Sequence, residues 1–177
     1  MYSFDATNEI TTSEQYSNVK DANQFNLSEN ASQEYKSVIK NAAIALLVQR
    51  EQSQKELQVK LQRKFSEPQL IEEVVDELTD AGLQSDERFV ESFIRAKKSA
   101  GKGPILIKHE LKDKGISDYL VAAYVYDNDE EWRELAERVY EKKFGDRDYS
   151  DAKEKGKRMR FMASRGFPAG IVYELID

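Results

Sequence analysis

One glycine-rich stretch of the sequence has the composition of a phosphate-binding loop. Gly101-Lys102-Gly103-Pro104 precedes a predicted helix, and the backbone N–H groups at a helix start can bind phosphate. The stretch lacks the Gly-Lys-Ser/Thr ending and the preceding apolar strand of an ATP-binding loop, and it lacks the GxGxxG pattern. A helix end marked by glycine, followed by a helix start marked by proline, explains these residues better.

Carboxylate side chains gather at two predicted helix starts, where paired acids could serve as a general acid and base. The two groups are Asp86-Glu87 and Asp129-Glu130-Glu131. Acidic side chains in this place also stabilise the helix, because they lie near the positive end of its dipole. We therefore expect both groups to cap helices.

Residue types that catalyse reactions or bind metals are scarce in this chain. It has no cysteine and one histidine, which excludes disulfides, thiol nucleophiles and the common zinc sites. His109 lies in mid-helix beside charged residues and is expected at the surface, whereas Trp132 is expected in the core. No residues combine a nucleophile, a base and an oxyanion hole. The sequence predicts no enzyme, no cofactor and no metal site.

The elements that must position any site are predicted to be helices. From about Ser37 the apolar residues recur at helical spacing, and 8 glycines and 3 prolines leave few turns for a sheet. Ser53-Gln54-Lys55-Glu56 has the pattern of a capping box, and Ser66-Glu67-Pro68-Gln69 is predicted to repeat it. Asn128-Asp129-Glu130-Glu131 is a weaker third case.

Glycines and prolines mark the ends and starts of these helices. Five glycines follow helical stretches, where a left-handed residue is favoured, and all three prolines stand just inside helix starts. The glycines are Gly82, Gly101, Gly115, Gly145 and Gly166, and the prolines are Pro68, Pro104 and Pro168. The predicted helices are 37–51, 54–64, 67–81, 86–100, 104–114, 118–126, 129–144, 152–165 and 168–176.

The apolar pattern repeats when the chain is shifted by 50 or 51 residues. The superposed sets include Ile39, Phe89 and Tyr140; Ala43, Phe93 and Phe144; and Leu61, Leu111 and Met162. The pattern predicts an all-α protein of three tandem three-helix repeats, at 37–82, 83–127 and 128–177. Units of this size must lean on their neighbours, which favours an elongated stack whose curvature the sequence leaves open.

One position breaks the repeat. Leu57 superposes on Ile107 but then on Arg158, where a charged residue replaces two apolar ones. The third unit is either shifted in register there or exposes that turn to solvent.

Residues 1–35 differ in composition from the rest of the chain. They carry six acidic residues and one basic residue, and polar uncharged residues fill most of the remainder. Such a segment cannot bury enough apolar surface to offset the entropy of ordering it. The sequence predicts a disordered acidic extension before the first repeat.

Basic and acidic residues are separated within each repeat. The middle helices carry a net charge of +9 over residues 54–64, 104–114 and 153–165, and the third helices carry −9 over 67–81, 118–126 and 168–177. If the units stack in register, the middle helices form one basic stripe facing a polyanionic or acidic partner. The alternative is that charged surface helices serve solubility alone.

A helix-turn-helix DNA reader is a further alternative, because a tight turn joins the second and third helices of each unit. The third helix would enter the DNA groove, which is lined by phosphates. The predicted third helices carry no lysine or arginine. This charge argues against reading of the major groove.

Several motifs resemble the RecX family of recombination regulators. The block from Gly82 to Phe93 is the most specific, and the resemblance covers about residues 37–177 without the acidic segment. The other stretches are 50–57, Gly101-Lys102-Gly103-Pro104, 110–116, Lys143-Phe144-Gly145 and Arg165-Gly166-Phe167. The resemblance implies three tandem three-helix repeats that bind the RecA recombinase filament on single-stranded DNA. It also implies inhibition of ATP hydrolysis, strand exchange and co-protease activity by groove binding or end capping.

Under this resemblance, we expect a basic surface to face the filament and to meet acidic protein surface, DNA phosphates or both. Arg88 could instead brace a helix start beside Asp86 and Glu87. The residues of this predicted surface are Lys55, Lys60, Arg63, Lys64, Arg88, Arg95, Lys97, Lys98, Lys102, Lys108, Lys112, Lys114, Lys157, Arg158, Arg160 and Arg165.

Two other functions stay open on the sequence: an autonomous nucleic-acid-binding module and a helical scaffold for an unrelated complex. A nucleic-acid-binding module would bind bare DNA tightly with a steep salt dependence.

The longest apolar run, 42–48, is far shorter than the roughly 20 residues of a membrane span. No charged-then-apolar leader opens the chain and it has no cysteine, so we expect a cytoplasmic protein. We also expect a monomer.

Overall fold

The computed structural model describes residues 31–126, 130–145 and 151–176, and all regular structure in these ranges is helical. The first helix, α1, covers residues 31–49. The others are α2 (Gln54–Gln62), α3 (Pro68–Asp80), α4 (Asp86–Ser99), α5 (Pro104–Asp113), α6 (Asp118–Tyr124), α7 (Glu130–Phe144), α8 (Ala152–Ser164) and α9 (Ala169–Ile176). Unit 1 is α1–α3, unit 2 is α4–α6 and unit 3 is α7–α9. The described residues thus confirm the all-α fold.

The first helix begins earlier than the sequence predicts. Residues 31–36 are already helical, and the Tyr35 ring meets the Phe65 ring edge-on at 6.0 Å. The Lys36 ammonium lies 2.8 Å from Glu73 and 2.9 Å from Glu77. The boundary at residue 35 was therefore wrong, because contacts with unit 1 order the polar residues before Ser37. The predicted disorder of residues 1–30 lies outside the described residues.

Helix starts and ends follow the local signals with one exception. The Ser53 hydroxyl accepts the Glu56 N–H at 3.1 Å, which confirms the serine half of the predicted capping box. The Glu56 carboxylate contacts Arg50 and Lys114 instead. The predicted second capping box, with Ser66 as the capping residue, is wrong. The residue that caps α3 is Glu67, and its side chain makes no hydrogen bond to the helix start. The third case, around Asn128, falls outside the described residues. All five predicted glycines have positive φ, between 60° and 86°.

The buried apolar side chains form two separate clusters. One belongs to unit 1 and is built around residues such as Ile39, Leu57 and Leu61. The other runs without a break through units 2 and 3. Trp132 belongs to this shared core with 1% exposure, as predicted, and its indole N–H donates to the Tyr126 carbonyl at 2.8 Å.

The position that breaks the repeat is buried in all three units. Leu57 and Ile107 are fully buried, and Arg158 is 4% exposed. The Arg158 guanidinium donates to the Tyr140 hydroxyl at 2.7 Å and lies 5.0 Å from the centre of the Phe144 ring. Both sequence-based alternatives were therefore wrong. The register is kept, and aromatic side chains of α7 cover the charge.

Neighbouring units meet where their middle helices end and begin. The Ser53 hydroxyl, at the start of α2, donates to the Lys114 carbonyl at the end of α5 at 2.8 Å. The Gly103 N–H, at the start of α5, donates to the Arg165 carbonyl at the end of α8, also at 2.8 Å. The shift of 50 or 51 residues relates these two contacts. The middle helices therefore follow one another head to tail.

Candidate macromolecule-binding surface

The glycine-rich stretch before α5 serves as a joint between units 2 and 3. The Gly103 N–H donates to the Arg165 backbone carbonyl at 2.8 Å, and the Ile105 N–H donates to the Gly166 carbonyl at 3.0 Å. A Cβ atom on Gly103 would lie 2.4 Å from that carbonyl oxygen, so only glycine allows the approach. The N–H groups that a phosphate would need are already used. The predicted helix end and helix start explain this stretch.

Side chains that could hold a metal ion stay apart in the part of the chain that the structure describes. His109 is exposed at the surface, as predicted, with its Nδ1 atom 3.2 Å from Asp113. Among the described residues, no three His, Asp or Glu side chains lie close enough to hold a metal ion. The surface charges are therefore the candidates for function.

Some residues of the predicted basic stripe are exposed and have no carboxylate partner. No carboxylate in the described ranges lies within 4 Å of any of these side chains. The same holds for Lys102, which is half-buried. The exposed members are Lys55, Arg63, Lys64, Arg95 and Arg160.

Other members of the predicted stripe are held in ion pairs within the protein. The charge of each is partly compensated, which weakens its attraction for an outside anion. These pairs are Arg88 with Glu51 at 2.8 Å, Lys112 with Asp118 at 2.7 Å, Lys114 with Glu56 at 2.6 Å and Lys157 with Glu154 at 3.3 Å. Lys97 pairs with Glu110, and Lys98 pairs with Glu131.

Three further members of the predicted stripe are buried or half-buried. Arg158 is buried between α7 and α8, so it presents no charge at the surface, and its assignment to the basic surface was wrong. Lys60 is half-buried and donates to the Gln52 side chain at 2.8 Å, and burial together with the nearby Arg50 lowers its pKa. Lys108 is also half-buried.

Glu56 concentrates charge at the junction of units 1 and 2. Its carboxylate lies 2.6 Å from the Lys114 ammonium and 3.1 Å from the Arg50 guanidinium, with 11% of the side chain exposed. Partial burial by itself would raise the pKa of Glu56. The two cations outweigh it and hold the pKa below the usual range of a glutamate.

A buried polar network lies beside Glu56 and joins unit 1 to unit 2. Gln52 and Gln84 are each 1% exposed. The Gln84 side-chain N–H₂ donates to the Gln52 carbonyl at 3.1 Å and to Asp86 at 2.9 Å, and Asp86 also accepts the Gln54 N–H at 2.9 Å. Sequence analysis missed this network. Its signal is a glutamine before each capping serine, Ser53 and Ser85.

Two of the surface grooves between neighbouring units contain several lysine and arginine side chains. The first groove, between units 1 and 2, has a volume of about 550 Å³, and its walls include Arg50, Glu56, Lys97, Glu110 and Lys114. The second groove, between units 2 and 3, has a volume of about 840 Å³. Its cations are Lys98, Arg138, Lys142, Lys143 and Arg165, and its acids are Glu131 and Glu134. The sequence-predicted surface contained Lys98 and Arg165 but missed the other three cations, which lie on α7.

The three units correspond to three known domain families in order. The models described as the first, second and third three-helix domains of RecX match residues 40–78, 85–124 and 129–176. The regulatory protein RecX of Pseudomonas putida (strain GB-1) is 33% identical over 139 residues, which cover 78% of this chain and 89% of that protein. The chain belongs to the RecX family. A RecX regulatory protein of Halorhodospira halophila is also 33% identical over 134 residues, covering 76% of this chain and 83% of that protein.

Solved RecX structures share the fold of this RecX-family chain. RecX from Lactobacillus salivarius superposes with a TM-score of 0.66 and 26% identity, covering 80% of this chain and 94% of that one. A second RecX structure superposes with a TM-score of 0.74 at 19% identity, covering 86% of this chain and 76% of that one.

Within the described ranges, every helix is too short or too polar to span a bilayer.

Proposed function

We propose that this RecX-family chain restrains the RecA recombinase by binding its filament on single-stranded DNA. Binding suppresses ATP hydrolysis, strand exchange and co-protease activity, and the chain catalyses no reaction of its own. The observation that carries this proposal is the match of RecX domain models to all three units in order. The repeated, end-to-end units also suit a partner that is itself a repeating polymer.

The exposed members of the basic stripe are the proposed contacts with the filament. Arg63 and Lys64 lie at the end of α2, Arg95 lies on α4 and Arg160 lies on α8, so all three units contribute. Each exposed cation contributes little by itself. Several weak contacts on successive protomers raise the overall affinity, because the second contact forms within one complex.

The test is the ATPase rate of RecA on single-stranded DNA, titrated with the chain. We expect inhibition. Inhibition far below one chain per recombinase indicates action at filament ends, and inhibition only near equal amounts indicates occupancy of the filament groove. If the folded chain leaves the ATPase rate unchanged, the proposed function is wrong.

The contact surface is tested by reversing charges that the fold does not need. Arg63→Glu/Lys64→Glu should weaken inhibition about tenfold or more, because two exposed cations become repulsive to an anion. Lys40→Glu/Arg133→Glu is the matched control, with the same change in charge outside the stripe and the second groove. Its lost pairs, with Glu77 and Glu174, lie at the surface and contribute little. Equal inhibition by both variants would remove the stripe from the interface. Lys114 is unsuitable for this test, because its reversal also breaks the pair with Glu56.

A further inference from the structure

The two grooves are equivalent in the repeat but differ in charge. A shift of 51 residues places Lys114 on Arg165, Glu110 on Phe161 and Ser92 on Lys143. The second groove thus has an aromatic ring where the first has an acid, and a cation where the first has a serine. Both grooves contain aromatic rings, Phe89 and Phe93 in the first, so the main difference between them is one of charge.

The first groove satisfies its own charges. Glu56 lies between Arg50 and Lys114, and Lys97 pairs with Glu110. An anion entering this groove would have to compete with carboxylates already in contact with each cation. The first groove is therefore a poor site for a polyanion.

Among the residues that the structure describes, three cations of the second groove have no carboxylate partner. Within the described ranges, no carboxylate lies within 4 Å of Lys142, Lys143 or Arg165. The acids of the groove are engaged on its other wall, where Glu131 pairs with Lys98 and Glu134 lies 3.7 Å from Arg138. Positive charge in a groove concentrates anions there.

An aromatic ring lies among these unpaired cations. The Lys143 ammonium is 5.8 Å from the centre of the Phe161 ring, and the Arg165 guanidinium is 5.1 Å from it. Arg165 is fixed in place by donating to the Ala100 carbonyl at 3.0 Å. Single-stranded nucleic acids are bound by this combination, because the cations follow the phosphates and the bases stack on aromatic or guanidinium planes. An acidic peptide would need the cations but not the ring.

We propose that the second groove binds the sugar-phosphate backbone of a single-stranded nucleic acid, with one base against Phe161 and Arg165. The inference rests on the proposed function in one respect, since the filament carries single-stranded DNA. It assigns the nucleic-acid contact to the groove between units 2 and 3. The exposed members of the basic stripe then contact the recombinase.

The test measures binding of the full-length chain to fluorescent dT20 and rU20 by anisotropy, over a range of salt concentrations and without recombinase. For Lys142→Gln/Lys143→Gln we expect the slope of log affinity against log salt to fall by about 1.4, at about 0.7 per lost phosphate contact. This corresponds to about 25-fold weaker binding at 0.1 M salt. Lys40→Gln/Arg133→Gln removes the same charge elsewhere and should change affinity less than about twofold. The two oligonucleotides show whether the groove prefers DNA or RNA.

Phe161→Leu tests the ring separately from the charge. Because base stacking is lost while every cation stays, affinity should fall about fivefold or more with an unchanged salt slope. Equal losses in both charge variants would show diffuse electrostatic attraction and overturn the assignment. Unchanged DNA affinity in Lys142→Gln/Lys143→Gln would also overturn the assignment. If this variant at the same time no longer inhibited the recombinase, the groove would instead bind an acidic protein surface.

The recombinase assay separates the two proposals. If the wild-type chain inhibits RecA but groove variants bind DNA normally, the groove assignment is wrong and the proposed function stands. If the chain binds single-stranded DNA through the groove and leaves RecA unaffected, the proposed function is wrong and the groove assignment stands.

Discussion

Arg158 occupies a position that the other units fill with Leu57 and Ile107. A buried guanidinium loses its hydration, and this cost must be offset by partners in the fold. Here the Tyr140 hydroxyl accepts one hydrogen bond, the Glu154 carboxylate lies 3.7 Å from the guanidinium, and the rings of Tyr140 and Phe144 cover the positive charge. Unit 2 has Phe89 where unit 3 has Tyr140, so the arginine and the tyrosine hydroxyl occur together.

This pairing predicts that Arg158 and Tyr140 are energetically coupled. Arg158→Ala should destabilise the chain by about 2 to 4 kcal/mol, since it leaves a cavity and an unbonded hydroxyl. Arg158→Ile/Tyr140→Phe copies the pair of unit 2 and should lie within about 1.5 kcal/mol of the wild type. Urea unfolding of both variants checks this. A double variant as unstable as Arg158→Ala would show that the arginine has another role.

Glu56 predicts a pH dependence at the junction of units 1 and 2. A carboxyl whose pKa is lowered by folding contributes stability above its unfolded pKa, and this contribution is lost as pH falls through its folded pKa. Glu56→Gln should therefore lower the melting temperature at pH 7, and the difference from the wild type should shrink below about pH 4. Melting curves from pH 7 to pH 3 measure it, with the exposed Glu72→Gln as control. A difference that stays constant with pH would mean that Glu56 acts through shape and not charge.

Helices and their ends were largely predictable, because the signals that set them are local. Ser53 caps α2 and Gly166 ends α8 through hydrogen bonds to residues a few positions away. The burial of Arg158 was not predictable, since its partners Tyr140 and Phe144 are set by the packing of α7 on α8. The second groove was missed for a similar reason. Its charge depends on which residues of two units face each other.

The joint between α5 and α8 is a feature of elements and not of side chains. Gly103 has an ordinary φ of −86°, so alanine would fit its backbone conformation. The constraint is the Gly166 backbone, which approaches to 2.4 Å of the place a Cβ atom would take. The close approach lets the end of α8 accept the first N–H groups of α5.

This geometry predicts opposite effects of alanine at two glycines. Gly103→Ala should destabilise the chain by about 1 to 3 kcal/mol, because the two backbones must separate and lose hydrogen bonds. Gly170→Ala, in α9 with no atom within 4 Å of the new Cβ, should be neutral or stabilise by up to about 1 kcal/mol. Denaturant midpoints compare the two. A stable Gly103→Ala variant would mean that the joint is loose.

At the scale of the whole molecule, the two junctions differ in kind. Units 2 and 3 share one apolar core, whereas units 1 and 2 meet through Gln52, Gln84, Asp86 and the ion pairs of Glu56. Opening an apolar junction exposes apolar surface to water, which costs about 25 cal/mol per Å². Opening a polar one exchanges protein hydrogen bonds for bonds to water at a small net cost. Units 2 and 3 should therefore behave as one body, to which unit 1 is weakly coupled.

This difference is tested by truncating the same repeat position in two units. Leu61 and Leu111 are both fully buried, one in each core. In a chain of stacked units, damage spreads only through strong interfaces. Leu61→Ala should thus speed hydrogen exchange in α2 and α3 and leave α5 and α8 protected, whereas Leu111→Ala should speed exchange in units 2 and 3 together. Exchange that rises across all three units in Leu61→Ala would mean that the polar network couples unit 1 as tightly as a shared core does.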